Sequence, residues 1–439
     1  MPQTYPRFLF EHIETMPRPQ LEELQTARLL KIIDSAYKNS PLIQQAWDAA
    51  GVHPRDIRSL EDFQKKAPFF DKDSIRHYRD TYNDPCGGLI RLDNPRVTAI
   101  ATTSGTTGDP TPMPRRFRTS SEEGYIRDHW HIGARPGDYV ILPVFTFRAG
   151  ASNGFSAMNE AGMTPVVFDH HPNAIPRIVE AIKRFRPSMI GLVSSPLLLG
   201  FEQYFKDHPE IDPKALFSSL KGSVYGGEQL SPRMKAMTDS WGLELFETTA
   251  LGDVVSATQC RAHDGFHAYE DLALVECLDP ITDKPVADGE VGEMVVTNIN
   301  DPLLAMVRFR TDDLVTINRD PCSCGRTHLR FHIVGRKSDQ IQVQGRNILP
   351  RDLRSLIEQQ HETQAGLFQI IKSSAQMEQL SLRVGYDPAL LTNSTDELIS
   401  RLRDLVAAHL NVPVRIELTH NDELLKLGPP HKIPRVTKQ

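Results

Sequence analysis

The stretch VVFDHHPNAIPRIVEAIKRF, residues 166–185, is followed after Arg186 and Pro187 by SMIGLVSSPLLLGFEQYF, residues 188–205. Each run opens on apolar residues, breaks at a turn marked by Pro172 or Pro196, and continues with apolar residues at helical spacing. Strand, loop and helix repeated in this order predict parallel strands layered with helices. Working outward, RVTAIATT from Arg96 reads as another strand. The residues before it read as helical: Leu29, Ile32, Ile33 and Ala36 share a helix face, which ends at Asn39-Ser40-Pro41. This first segment is expected to pack as a cap on a larger α/β body.

Between about 260 and 334 helical periodicity fades, and EMVVTNI and LVTINRD predict a smaller β-rich part. After Gly335-Arg336-Lys337-Ser338-Asp339 the pattern changes again. A strand with Ile341 and Val343 precedes a helix started by Pro350. Strands at 367–371 and 380–386 follow, then a helix capped by Ser394 and Glu397, then a strand with Val414, Ile416 and Leu418. That order, β-α-β-β-α-β, predicts a ferredoxin-like α+β domain. Residues 1–337 are thus expected to form a large N-terminal domain and residues 338–439 a smaller, mobile C-terminal one.

At 439 residues with 39 % hydrophobic and 24 % charged side chains, the chain has ample material for such cores. The formal net charge of −6 supplies no basic footprint for a phosphate backbone, so nucleic acid is not expected as a partner. No run approaches about 18 apolar residues, so no membrane-spanning helix is expected. MPQTYPRFLFEHIETMPRP lacks the charged, apolar and small-residue regions of a signal peptide, and a cytoplasmic location is expected. An odd count of five cysteines, Cys86, Cys260, Cys277, Cys322 and Cys324, points to reduced thiols with metal binding as the exception to look for.

The stretch richest in chemistry is Thr102-Thr103-Ser104-Gly105-Thr106-Thr107-Gly108-Asp109-Pro110. Hydroxyls and glycines directly after a strand let backbone N–H groups turn toward one point and enclose a phosphate. A flexible loop is the plainer alternative. The run is not a Gly-Lys-Ser/Thr phosphate loop opening a helix, because Pro110 and Pro112 forbid an immediate helix.

Together with Tyr225-Gly226-Gly227-Glu228, the run FRTDDL at 309–314, Gly335-Arg336-Lys337-Ser338-Asp339 and Lys432 in HKIPRV, this loop resembles the adenylate-forming ligases, and within them the phenylacetate–CoA ligase branch. The resemblance extends from IETMPRPQLEELQ to HKIPRV and so spans nearly the whole chain. It implies ATP-dependent activation of a small-molecule carboxylic acid to an acyl-adenylate, then transfer to coenzyme A. A carrier protein or an amine is the alternative acceptor, and a catalytically impaired binding homologue the alternative class. A homodimer is left open.

By resemblance, Thr103, Ser104, Gly105, Thr106, Thr107 and Gly108 hold the β- and γ-phosphates, and Gly226, Gly227, Glu228 and Thr249 lie along the adenine. Asp313 takes the ribose hydroxyls, a task suited to a two-oxygen acceptor, and Arg336 reaches ribose or phosphate. Lys432 serves adenylation as a mobile charge, and Asp253 binds Mg²⁺. Phe147, Arg148 and Tyr225 are the expected acid-binding residues, with Arg148 meeting a second polar or anionic group if it is not simply a surface arginine. Cys260, His267, Cys322 and Cys324 match a structural Zn²⁺ site of the Cys₃His kind, with His263 or His328 as alternatives for the fourth ligand.

Five positions depart from the family pattern. Asp109 replaces a lysine, Thr249 and Ala250 an aromatic–glycine pair, Asp253 a glutamate and Ser338 the aspartate of the hinge position. Cys277, inside LALVECL, is expected to be a core thiol and Cys86 a loop residue.

Overall fold

Ser40 closes the helix Arg18–Asn39 and caps the next, Pro41–Ala49, by accepting the Ile43 N–H at 3.3 Å. Leu29, Ile32, Ile33 and Ala36 then lie on one buried face, as their spacing predicts. The computed structural model describes residues 5–91, 93, 99–102, 111–115, 120–145, 150–251, 255–302, 304, 306–374, 376–427 and 433–438.

The α/β pattern of residues 166–205 is realised as the strand Thr164–Asp169, the helix Ile175–Phe185, the strand Met189–Val193 and the helix Ser195–Asp207. These strands join Tyr139–Val144, Gly222–Tyr225 and Leu245–Leu251 in a parallel array. Ile178, Val179, Ile182, Leu198 and Phe201 fill the space between helices and sheet.

The β-rich part is continuous with that array rather than set apart from it. Leu245–Leu251 pairs parallel to Gly222–Tyr225 on one side and antiparallel to Val255–Gln259 on the other. From there Phe266–His267, Arg330–Arg336, Phe309–Asn318, Val291–Asn298 and Ala273–Leu278 extend one sheet to eleven strands. Its buried Phe266, Val296, Phe309, Val315 and Phe331 meet Leu29, Ile32, Ile33 and Ala36, so the N-terminal helices cap this half. Each fully buried Phe or Leu is worth about 1.5–3 kcal/mol of transfer free energy. The buried ion pair of Arg326 with Glu14 and the partly buried one of Arg18 with Glu270 fix how the cap sits.

From Ile341 onward the chain has its own apolar cluster, including Ile341, Leu353, Phe368, Leu382, Leu402 and Val414. Strands and helices follow the expected order, but the pairing differs from a ferredoxin-like sheet. Ile341–Val343 joins a three-stranded sheet with Arg346–Ile348 and Gln376–Met377. The four-stranded sheet instead takes the terminal Val436–Lys438 as its edge, parallel to Phe368–Lys372. Gln344 at φ 48 and Gly345 at φ 79 explain the difference: they turn the first strand back on Arg346–Ile348 before it can reach the other sheet. Among the described residues no helix is long and apolar enough to cross a membrane.

Candidate functional site

Open parallel sheets bind ligands at the carboxyl ends of their strands. There, directly after Gly222–Tyr225, Gly226 donates its N–H to Val193 O at 3.0 Å. A Cβ on Gly226 would lie 3.0 Å from Thr248 Cγ2, a tight contact that glycine avoids. Gly227 has φ +105, in the region that also favours glycine. Thr249, the neighbour of that Thr248, pairs with Ala257 on the next strand. The turn and Thr249 thus share one corner of the sheet.

Glu228, the next residue, holds two cations. Arg435 donates from Nε at 3.0 Å and from Nη2 at 2.7 Å to one carboxylate oxygen, and Arg354 Nη1 lies 3.4 Å from the other. Burial alone pushes the Glu228 carboxyl up, but the two guanidiniums win and hold it down at about 2. Arg354 also donates to Gln229 O and Ser195 Oγ, and Ser195 Oγ is 2.8 Å from the Tyr225 hydroxyl. Tyr225 was expected to meet the acid. Its side chain is instead fully buried in the core beneath the turn, and burial pushes its hydroxyl up to about 12.

Asp313 and Arg336 face one another across the strands Phe309–Asn318 and Arg330–Arg336, with Arg336 Nε 3.4 Å from Asp313 Oδ1. Both are partly exposed, at 21 % and 41 % of their side chains, so a ligand can reach them. Asp312 beside them sits at φ 72 and accepts from the Ser338 N–H at 3.1 Å and from the Ser338 hydroxyl. Lys337 pairs with the buried Glu293 at 3.0 Å. Ser338 therefore ties its own segment to the strand that carries Asp313.

The four donor atoms of Cys260, His267, Cys322 and Cys324 all lie within 4.8 Å of one another, and all four residues are buried. Cys260 Sγ is 3.6 Å from Cys322 Sγ and Cys324 Sγ is 3.4 Å from His267 Nε2. Tetrahedral Zn²⁺ with its usual bond lengths gives edges of about 3.8 Å and about 3.6 Å, so the donor set fits that ion. The thiols cannot all ionise side by side without a cation: bonding to Cys324 and burial hold Cys260 protonated, while Cys324, accepting from Cys260 and beside His267, is driven toward thiolate. His263 stacks on Phe246 and faces Glu244, and His328 accepts the Glu270 N–H with Nδ1. Of the three candidate histidines, His267 is the one in the cluster. Cys277 is buried in its strand as expected, and Cys86 is buried as well.

Thr103, Ser104, Gly105, Thr106, Thr107, Gly108, Asp109, Phe147, Arg148, Asp253 and Lys432 lie outside the described residues. Their described flanks are in place. Thr102 pairs with Pro112, Leu251 pairs with Val255, and Ile433 is buried beside Leu367 and Leu424. The sequence reading missed Arg354, Arg435 and Ser195. Arg354 follows Leu353 on an otherwise apolar helix face, and that buried position was the one signal in the sequence that pointed to a partner.

No family model matches the chain. Among curated proteins it is 28 % identical to the phenylacetate-coenzyme A ligase of Thermus thermophilus, over 96 % of either chain. It is 29 % identical to the Escherichia coli enzyme of the same name, over 79 % of this chain and 78 % of that one. Among solved structures, 2-hydroxyisobutyryl-CoA ligase in its postadenylation state matches with TM-score 0.83 at 21 % identity, covering all of this chain and 94 % of that one. The same ligase in its thioesterification state matches with TM-score 0.70 at 22 % identity and the same coverage. The chain is thus similar over most of its length to curated phenylacetate-coenzyme A ligases and shares its fold with 2-hydroxyisobutyryl-CoA ligase.

Proposed function

We propose that this protein is an AMP-forming acid–CoA ligase. The substrate carboxylate attacks the α-phosphorus of ATP and pyrophosphate leaves; the CoA sulfur then attacks the acyl carbon, AMP leaves, and the thiol proton passes to solvent. The observation that carries this reading is the Gly226–Gly227 turn, set at the carboxyl ends of the parallel strands and fastened through Glu228 to the segment that follows Lys432. The acid is aromatic or otherwise bulky. The reaction is read as cytoplasmic, where ATP and CoA are both at hand.

In this reading the hydroxyls and backbone of Thr103 to Gly108 neutralise the leaving pyrophosphate, and Lys432 meets the charge that develops at the α-phosphate. Asp313 takes the ribose hydroxyls with Arg336 alongside. Phe147 and Arg148 contact the acid. Asp253 would hold Mg²⁺, which screens the polyphosphate. Cys260, His267, Cys322 and Cys324 would hold Zn²⁺ as a structural clamp across 62 residues of chain. Residues 338–439 move as a domain between the two steps.

A panel of carboxylic acids, assayed with and without CoA, tests the reading. The expected result is acid-dependent, Mg²⁺-dependent pyrophosphate release, with thioester formed only when CoA is present. Acyl transfer to an added amine or carrier protein in place of CoA reassigns the acceptor. Ligand binding without pyrophosphate release for every acid overturns catalysis.

A further inference from the structure

The Glu228 bridge joins the C-terminal part to the sheet corner, and no motif reading predicts it. Its two ends belong to different bodies. Glu228 follows the Gly226 turn, whose N–H is fixed on Val193 O. Arg435 is held on the other side: Nη1 donates to Gly366 O at 2.8 Å, its Cζ lies 4.6 Å from the centre of the Phe368 ring, and the strand it leads into pairs with Phe368–Lys372. Arg354 arises from the helix Pro350–Ile357 of that same body and adds the second cation. The bridge therefore joins positions 207 residues apart, two residues beyond Gly226 on one side and three beyond Lys432 on the other.

We propose that Arg435, through Glu228 and beside Arg354, is a positioning residue for adenylation: it holds the C-terminal body on the Gly226–Gly227 turn during that step and releases it for transfer to CoA. The inference rests on the ligase reading above. An ion pair suits a contact that must be made and broken. Its Coulomb attraction in the closed site is largely offset by desolvation, and both charges are rehydrated when the bodies part. A second guanidinium on one carboxylate keeps Glu228 ionised in the closed arrangement. An apolar seam of the same extent would leave exposed surface on release. The closer match to the relative's postadenylation state than to its thioesterification state agrees with a bridge made in the first step.

The test uses the full chain carrying Arg435→Gln, with phenylacetate as the probe acid and phenylacetyl-adenylate as the preformed intermediate, or another acid of the panel if wild type prefers it. Acid-dependent ATP–pyrophosphate exchange is expected to fall at least about tenfold, while transfer from the adenylate to CoA stays within about twofold. Arg435→Lys keeps the charge without the fork and is expected to fall between. Equal loss in both half-reactions overturns the proposal and assigns Arg435 a purely structural part. Wild type without exchange for any acid refutes the ligase reading instead. The bridge is then judged by amide hydrogen exchange on the ligand-free chain: faster exchange at 226–230 and 354–358 in Arg435→Gln supports it, and unchanged exchange overturns it.

Discussion

Asp313 and Arg336 occupy directly opposed register positions on neighbouring antiparallel strands, with Arg336 Nε 3.4 Å from Asp313 Oδ1. Two motifs far apart in the sequence therefore form one ionic unit. Partly exposed, at 21 % and 41 % of their side chains, the pair adds little to stability by itself.

If Asp313 takes both ribose hydroxyls, Asp313→Asn raises the KM for ATP by about 10- to 100-fold, the worth of hydrogen bonds to a charged group. The same variant loses most of the preference for ATP over 2′-deoxy-ATP. Steady-state kinetics with the two nucleotides provide the check; a retained preference removes Asp313 from the ribose.

The Cys₃His cluster predicts one Zn²⁺ per chain by elemental analysis. Cys322→Ser or exhaustive chelation should lower the melting temperature, because the ion ties Cys260 and His267 to the turn of Cys322 and Cys324. Full metal content in a Cys260→Ser, Cys322→Ser double variant would contradict the assignment.

Burial raises the Asp128 carboxyl to about 6, even though the Tyr269 hydroxyl donates to it at 2.7 Å. An acid whose pKa rises on folding binds its proton more tightly in the native state. Stability is therefore lost as pH climbs from about 4, the unfolded value, through about 6, by an amount near 3 kcal/mol. Denaturant unfolding at pH 4 and pH 7 reads the effect. Asp128→Asn should flatten that slope, gaining on wild type as pH rises.

Ser338→Ala removes the hydroxyl that Asp312 accepts while leaving the backbone N–H contact. Stability should change by no more than about 1 kcal/mol, since the contact is exposed. Partial proteolysis between 336 and 341 should accelerate. Ser338→Asp, which sets a second carboxylate beside Asp312, should accelerate it more. Identical digestion of all three proteins would remove Ser338 from the hinge.

The α/β alternation of residues 166–205, the helical face of Leu29 to Ala36 and the β-rich run after Cys260 were legible in the sequence because each is written in the spacing of neighbours. The ferredoxin-like reading recovered the order of elements but not their pairing. Strand order carries no information about which sheet a strand enters; the reversal at Gln344 and Gly345 settled that. For the metal cluster, the resemblance named all four residues, His267 among them, but left His263 and His328 open as alternatives for the fourth. Backbone direction resolved the choice: Phe266–His267 is paired into the sheet next to Arg330–Arg336, which turns His267 toward Cys324.

The sequence by itself determined the element types, the apolar faces and the residue kinds assembled for chemistry. The tertiary structure alone decided that Glu228 meets Arg354 and Arg435, that Tyr225 points into the core, and that Asp313 stands opposite Arg336. The physical reason is range. Periodicity, caps and turns act over a few residues, whereas a buried charge takes whichever partner the packing of distant segments brings within reach, across 207 residues for Glu228 and Arg435 and 312 for Glu14 and Arg326.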